Sequence, residues 1–401
     1  MLVHDSFRFY KSMFSRFPVK VDRNLNIFVF YFYSLALAIS CLGVCLIIII
    51  LLRIIIKYKN NELVTIVFTK YDYTLAKKLQ ENGINLNIIC IGFDCKCGHA
   101  TTSYSNLIIF LSSFANPLST LRALWCTRND EVLSNNKLRI AKLSGLKQII
   151  PILISQGKVA INFNDHSVYN VLYFDIAKKK SLNTIYIQHA PVGEHFPPLY
   201  HDLNILYSND SLKKYKNPFN KEIFVLFDLR FLDIDKSDNS EEFENTVLIC
   251  TNILDSTEEI VKTAESLASH GYKIILRPHP RDNRSLPKLE SITISQGNSL
   301  WFDLNKSQII LANESAVFLE AAYLDKLFYK CAYFSSTLDN YDFIKNGAIT
   351  REYFDFPSVL KDLKDNYLSY NKNKIEYYIG NVINWELKMT ELKQKIYNIN
   401  D

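Results

Sequence analysis

"KIILRPHPRD", residues 273–282, decides how the rest of the chain is read. A run of Ile274, Ile275 and Leu276 stops at Arg277-Pro278-His279-Pro280-Arg281, so a buried strand gives way to a stiffened turn. Two prolines remove the backbone freedom that would blur the aim of the histidine between them. In an open α/β sheet, ligands bind where strands end at their carboxyl side. Guanidinium offers a fork of donors to phosphate, and imidazole can donate a hydrogen bond or a proton to a leaving phosphate. The stretch therefore predicts a parallel sheet with an anion-binding strand end at Arg277, His279 and Arg281.

Outward from this stretch, strand-like and helix-like runs alternate on both sides. "TVLICTN" (246–252), a helix over 256–270, "SITISQG" (291–297), "IILANES" (309–315), a helix over 316–325 and "LFYKCAY" (327–333) form one series. An earlier series runs through "LVTIVFT" (63–69), "INLNIICIGF" (84–93), "VAINFND" (159–165), "NTIYIQHA" (183–190) and "LNILYSND" (203–210), with helical stretches between. Few polar residues alternate within these strands, as expected where helices cover both faces. Strand–helix alternation on this scale predicts doubly wound parallel sheets. Residues 211–244 break the rhythm and read as an interdomain link. The chain thus divides into a basic segment 1–26, an anchor 27–56, a Rossmann-like acceptor domain 60–232, a Rossmann-like nucleotide-donor domain 245–370 and a helical tail 371–401.

With 401 residues, two domains are the default. Lys and Arg total 46 against 41 acidic residues, too even a mixture for a nucleic-acid footprint. Glycine is scarce at 11 residues, and no Gly-rich phosphate loop occurs. Cys90, Cys95, Cys97 and His99 cluster, but the spacing is not a zinc knuckle and no second cluster completes it. No metal and no cofactor are expected, and the cysteines read as free thiols of a reducing cytosol.

"IFVFYFYSLALAISCLGVCLIIIILL", Ile27 to Leu52, carries no charge over 26 residues. A helix of that length spans about 39 Å, enough to cross a bilayer. Basic residues flank it on both sides, so charge leaves its orientation open. The chemistry argued for the remainder places the main domain in the cytoplasm, on a single-pass anchor in the inner membrane.

Two further groups of residues belong with His279. "IILANESAVFLEAAYLDK" passes from strand to helix through Asn313-Glu314-Ser315, where Ser315 can cap the helix and Glu320 lies inside it. In the first half, His189 ends the strand "TIYIQHA", and Asp165-His166 ends the strand before it. Consecutive parallel strands bring such ends together, and a histidine there can take a proton from an attacking hydroxyl near neutral pH.

"RPHPR", then "NES", "EAAYLDK", "FYKCAY" and "REYFDF" resemble the C-terminal half of the CDP-glycerol glycerophosphotransferase family of teichoic-acid polymerases, over residues 246–356. They resemble more loosely the bacterial sialyl- and polysialyltransferases. The resemblance implies a GT-B fold, with two Rossmann-type domains facing a cleft. It implies that His279, Arg277 and Ser315 meet donor phosphates, that Asn313 and Glu314 belong to the donor site, and that Glu320 meets the ribose. His189 matches the general base of that family, "QHA" standing where the family has "WHG". Where the family has an aspartate and paired serines, this chain has Asn313-Glu314-Ser315-Ala316, so one phosphate-binding hydroxyl is missing. The expected protein is a membrane-anchored transferase moving a sugar or polyol-phosphate from a CDP- or CMP-linked donor to a lipid-linked surface polysaccharide. The alternatives are a CMP-sialic acid or CMP-Kdo glycosyltransferase and a non-catalytic scaffold of a polysaccharide-assembly complex.

Overall fold

The computed structural model describes residues 62–93, 101–113, 137–194, 196–232, 234, 245–280, 282, 284, 292–295, 299–336 and 338–399. The stretch read as a membrane anchor, Arg281, His195 and most of the segment 233–244 lie outside them. Among the described residues no helix is long and apolar enough to cross a membrane.

The first sheet holds β1 (Leu63–Val67), β2 (Leu86–Ile91), β3 (Thr101–Tyr104), β4 (Val159–Asn162), β5 (Asn183–Ile187), β6 (Leu203–Leu206) and β7 (Glu222–Val225). Their order is β3-β2-β1-β4-β5-β6-β7, every pair parallel. The second sheet holds β8 (Thr246–Cys250), β9 (Lys273–Arg277), β10 (Ile292–Ile294), β11 (Ile309–Ala312), β12 (Leu327–Cys331) and β13 (Glu352–Tyr353). Its order, β10-β9-β8-β11-β12-β13, repeats that of the first and is again all parallel. In each sheet the order reverses beside the first strand, and such a switch point leaves a crevice at the strands' carboxyl ends.

Strands β1, β2, β4, β6, β8 and β11 are buried at every position. Their Ile, Leu and Val side chains feed cores on both faces of each sheet, each fully buried one contributing about 1.5–3 kcal/mol. Local signals set the helix ends. Thr69 caps Lys70–Glu81 by accepting from Asp72 N, and Ser256 caps Thr257–Ser269 by accepting from Glu259 N.

The segment read as a link differs from expectation. Through β7 it folds with the first domain, as a short helix (Asn209–Lys214) and the strand itself, and it ends in a 3-10 turn at Leu229–Phe231 whose side chains enter both cores. Its polarity reflects an edge position, since β7 is only half-buried and begins at an exposed Glu222. The tail breaks into Ile375–Ile379 and Trp385–Asn398. Between them Gly380 (φ 76°) lies where an added Cβ would stand 2.3 Å from Tyr207 O and 2.8 Å from Phe227 Cα, so only glycine fits. Beyond it Met389, Leu392 and Ile396 pack into the first domain's core, so the helix Trp385–Asn398 returns to the first domain. Cys90 is disulfide-bonded, so the reading of the cysteines as free thiols fails there, while Cys250 and Cys331 are free and buried.

Candidate functional site

A cleft of about 800 Å³ lies between the two domains. On the second-domain side its wall is built from the carboxyl ends of β8, β9 and β11. These contribute Thr251, Arg277, the Pro278-His279-Pro280 turn, Ser315 and Glu320. On the first-domain side stand Tyr71, Lys78, Pro191 and Arg230.

The proline-flanked turn presents His279 exposed at the cleft, as its sequence predicts. Arg277 also lines the cleft, its guanidinium held by the buried Asp303 and 3.3 Å from Ser299 O. Ser315 Oγ accepts from Val317 N at 3.3 Å, beside a helix that begins at Val317. Two buried polar atoms of this wall, Thr251 Oγ1 and Glu320 Oε2, have no hydrogen-bond partner among the described residues. Orphaned buried polar atoms are uncommon in folded proteins, and one in a residue of a cleft wall marks where a small shift on binding could satisfy it.

Glu320 is 3 % exposed, and its other oxygen accepts from Arg230 Nη1. Burial raises its carboxyl pKa, and the Arg230 guanidinium acts against that rise. Arg230 is anchored in turn on Asp228 Oδ2, at 2.8 Å from Nε and 2.6 Å from Nη2. Sequence reading passed over Arg230 because it falls in the polar stretch taken for a link.

Asn313 and Glu314, expected at the donor site, do not line this cleft. Asn313 donates to Ser335 O at 2.7 Å and Ser335 Oγ at 2.8 Å. Glu314 is ion-paired with the buried Lys330 at 3.2 Å and accepts from Tyr341 N at 3.3 Å. The charge that would repel phosphate is thus turned away and neutralised inside the fold.

The first-domain residues gather as the parallel pairing of β4 and β5 requires. The His166 and His189 rings stack at 5.6 Å between centroids, and Asp165 accepts from His166 Nδ1 at 3.0 Å and from Tyr215 OH at 2.5 Å. Burial would raise the Asp165 carboxyl, but these partners win and hold it low. Asn164 Nδ2 lies 3.3 Å from His189 Nε2; with the amide donating, the imidazole proton sits on the buried Nδ1, on the side of the Phe163 backbone. Burial lowers the His189 pKa to about 4, so the ring is neutral at pH 7. His189 does not line the cleft where it was expected to face His279. Tyr71 stands there, its hydroxyl donating to His189 O at 2.6 Å and its ring edge-on at 6.1 Å. Asp165 and His166 are likewise absent from the cleft wall.

No family model and no curated protein matches the chain in sequence. Solved structures match its fold. The wall teichoic acid polymerase TagF superposes with a TM-score of 0.52 at 12% identity, over 86% of this chain and 90% of that one. A putative UDP-N-acetylglucosamine 2-epimerase from Listeria monocytogenes gives 0.52 at 13% identity, over 84% and 95%. MnaA of S. aureus, in a co-structure with UDP, gives 0.51 at 12% identity, over 84% and 97%. The fold is GT-B-like. Two parallel-sheet Rossmann-like domains with a cleft between them are common to this chain and to these enzymes, and identities this low carry the likeness no further than architecture.

Proposed function

We propose that this protein is a GT-B-type transferase that takes a nucleotide-activated donor into the interdomain cleft and passes a sugar or polyol-phosphate to a hydroxyl of a surface polysaccharide. One observation carries the reading. Thr251 after β8, Arg277 and His279 at the end of β9, and Ser315 and Glu320 from the junction and helix after β11 converge on a single cleft wall, in which two buried polar atoms have no partner among the described residues. In this reading Arg277 and His279 neutralise the donor's diphosphate, and His279 can protonate the leaving phosphate. Ser315 donates its hydroxyl to a phosphate oxygen, and Glu320 takes a hydroxyl of the nucleoside. A CDP- or CMP-linked donor follows from the resemblance of residues 246–356, and TagF, itself soaked with CDPG in one structure, is among the fold's neighbours. A lipid-linked acceptor at the inner membrane follows from the uncharged run 27–52, with the catalytic domains on the cytoplasmic side.

The withdrawal of His189 behind Tyr71 favours a second reading on the same fold, an enzyme acting on a nucleotide-sugar without an external acceptor, as the epimerases do by name. Incubating the detergent-solubilised protein with CDP-, CMP- and UDP-activated donors, with and without polysaccharide acceptor, separates the two. Donor consumption that depends on acceptor supports transfer, and donor isomerised without acceptor supports the second reading. A protein that neither binds nor converts any donor is a scaffold.

A further inference from the structure

The turn Leu229–Phe231 is shared between the domains. Leu229 and Leu232 pack into the first domain's core, whereas Phe231 packs into the second's, 4.8 Å from Tyr323 and 5.8 Å from Trp301 between ring centroids. Lys78 Nζ fixes the turn by donating to Leu229 O at 2.9 Å and Leu232 O at 2.6 Å. Arg230 projects from the middle of this junction. Its backbone N and guanidinium are both held by Asp228, so it has little freedom apart from the turn. Its remaining reach ends on Glu320 of the second domain, and the pair is nearly closed to solvent, with side chains 11 % and 5 % exposed.

Removing one partner of a buried pair leaves an uncompensated buried charge, so neither member behaves independently. Glu320 Oε1 is taken by Arg230, while Oε2 lies buried and unpartnered in the cleft wall. A ligand hydroxyl that donates to Oε2 needs an ionised, correctly turned carboxylate. Arg230 fixes the carboxylate's orientation from the other domain and favours its ionised form against the burial that raises it. Around the guanidinium stand Asp228, Glu320 and the phenols of Tyr71 and Tyr207, while Lys78, the nearby cation of the cleft wall, is engaged with the backbone carbonyls of the turn.

We propose that Arg230 is a positioning residue that couples ligand binding at Glu320 to the placement of the two domains, so that the cleft binds its ligand well only when the junction is closed. This goes beyond the proposed function in assigning the coupling, and rests on it only in taking the ligand to be a nucleotide.

The test uses the full-length protein in detergent, with Arg230→Met, Arg230→Lys, Glu320→Gln and the Arg230→Met/Glu320→Gln double variant. Dissociation constants for CDP, CMP and UDP are measured by titration calorimetry. Interdomain distance distributions are measured between spin labels on non-natural residues at the exposed Lys180 and Lys361. Arg230→Met is expected to weaken the best-bound nucleotide by about tenfold or more, and adding Glu320→Gln to it to cost less than about threefold further, because groups in one network do not add. The distance distribution of Arg230→Met is expected to broaden with or without nucleotide. Arg230→Lys keeps the charge but loses the fork, so it should show the same changes in smaller measure. It decides the matter if the methionine variant does not fold. Binding within about threefold of wild type in Arg230→Met, losses that multiply in the double variant, or unchanged distances would overturn the proposal. Should wild type bind none of the nucleotides, the nucleotide reading fails, and the ligand-free distances still decide whether Arg230 closes the junction.

Discussion

Two histidines end strands of parallel sheets in this molecule, and they meet opposite fates. His279 stands exposed on the cleft wall of the second domain, while His189 is tucked behind Tyr71 in the first with its Nδ1 buried. The difference comes from their neighbours. Prolines on both sides of His279 deny the turn the backbone donors that would draw it into the fold. His189 is followed by Ala190 and tied through its own carbonyl to Tyr71, and His166 covers its ring. Topological position alone does not make a strand-end residue part of a site; what packs over it decides. The same lesson holds between Glu320, a residue of the cleft wall whose Oε2 is buried with no hydrogen-bond partner among the described residues, and Glu314, whose carboxylate is spent on Lys330.

Three experiments test this division between cleft and scaffold. The largest effect is expected at Lys330, which is 2 % exposed and paired with both Glu314 and Glu352. Lys330→Ala leaves buried carboxylate uncompensated and should cost about 3–5 kcal/mol in denaturant unfolding. Nucleotide affinity below the melting transition should stay unchanged, because Glu314 serves the fold; an affinity loss at full folding would return Glu314 to the donor site.

Next comes pH. Burial depresses the His189 pKa to about 4, so between that value and 6.5 the unfolded chain binds a proton that the folded protein refuses. Stability from this group is complete above pH 6.5 and is lost as pH falls toward 4. Asp72, whose carboxyl burial raises to about 6, acts in the opposite sense between 3.8 and 6, so wild type and variant must be compared rather than a single curve read. His189→Asn should shrink the stability difference between pH 7 and pH 5 by up to about 2 kcal/mol, at about 1.4 kcal/mol per pH unit. Equal pH profiles would mean that water reaches the ring.

The smallest effect is expected from Tyr71→Phe, which removes the hydroxyl bonded to His189 O and should lower stability by about 0.5–1.5 kcal/mol. If it instead raises turnover, Tyr71 gates His189 and the two histidines share the site after all.

Much of the fold was legible. Hydrophobic runs of five or six residues separated by amphipathic ones place most strands, and the repeated rhythm gives two doubly wound sheets. Elements short or polar enough to lack that rhythm escaped: β3, the half-buried edge strand β7, and β13, which has two residues. The second-domain cleft wall was legible because proline and the strand–Ser315–helix junction announce backbone geometry locally. Arg230, Tyr71 and Lys78 were not, because their place at the cleft depends on how the two domains meet, which no local pattern encodes. The half-burial of His189 was hidden for the same reason, set by side chains 23 and 118 positions away in the chain, His166 and Tyr71.

In the proposed function the chemistry of this cleft belongs to its second-domain wall. Nucleotide affinity, donor turnover and melting temperature of His279→Ala and His189→Ala, measured side by side, test it most directly. His279→Ala is expected to lower turnover about 10²–10⁴-fold with its melting temperature unchanged, whereas His189→Ala is expected to keep turnover within about tenfold of wild type and to shift the melting temperature instead. A His189→Ala enzyme that is stable but inactive, beside a His279→Ala enzyme that still turns over, would contradict it.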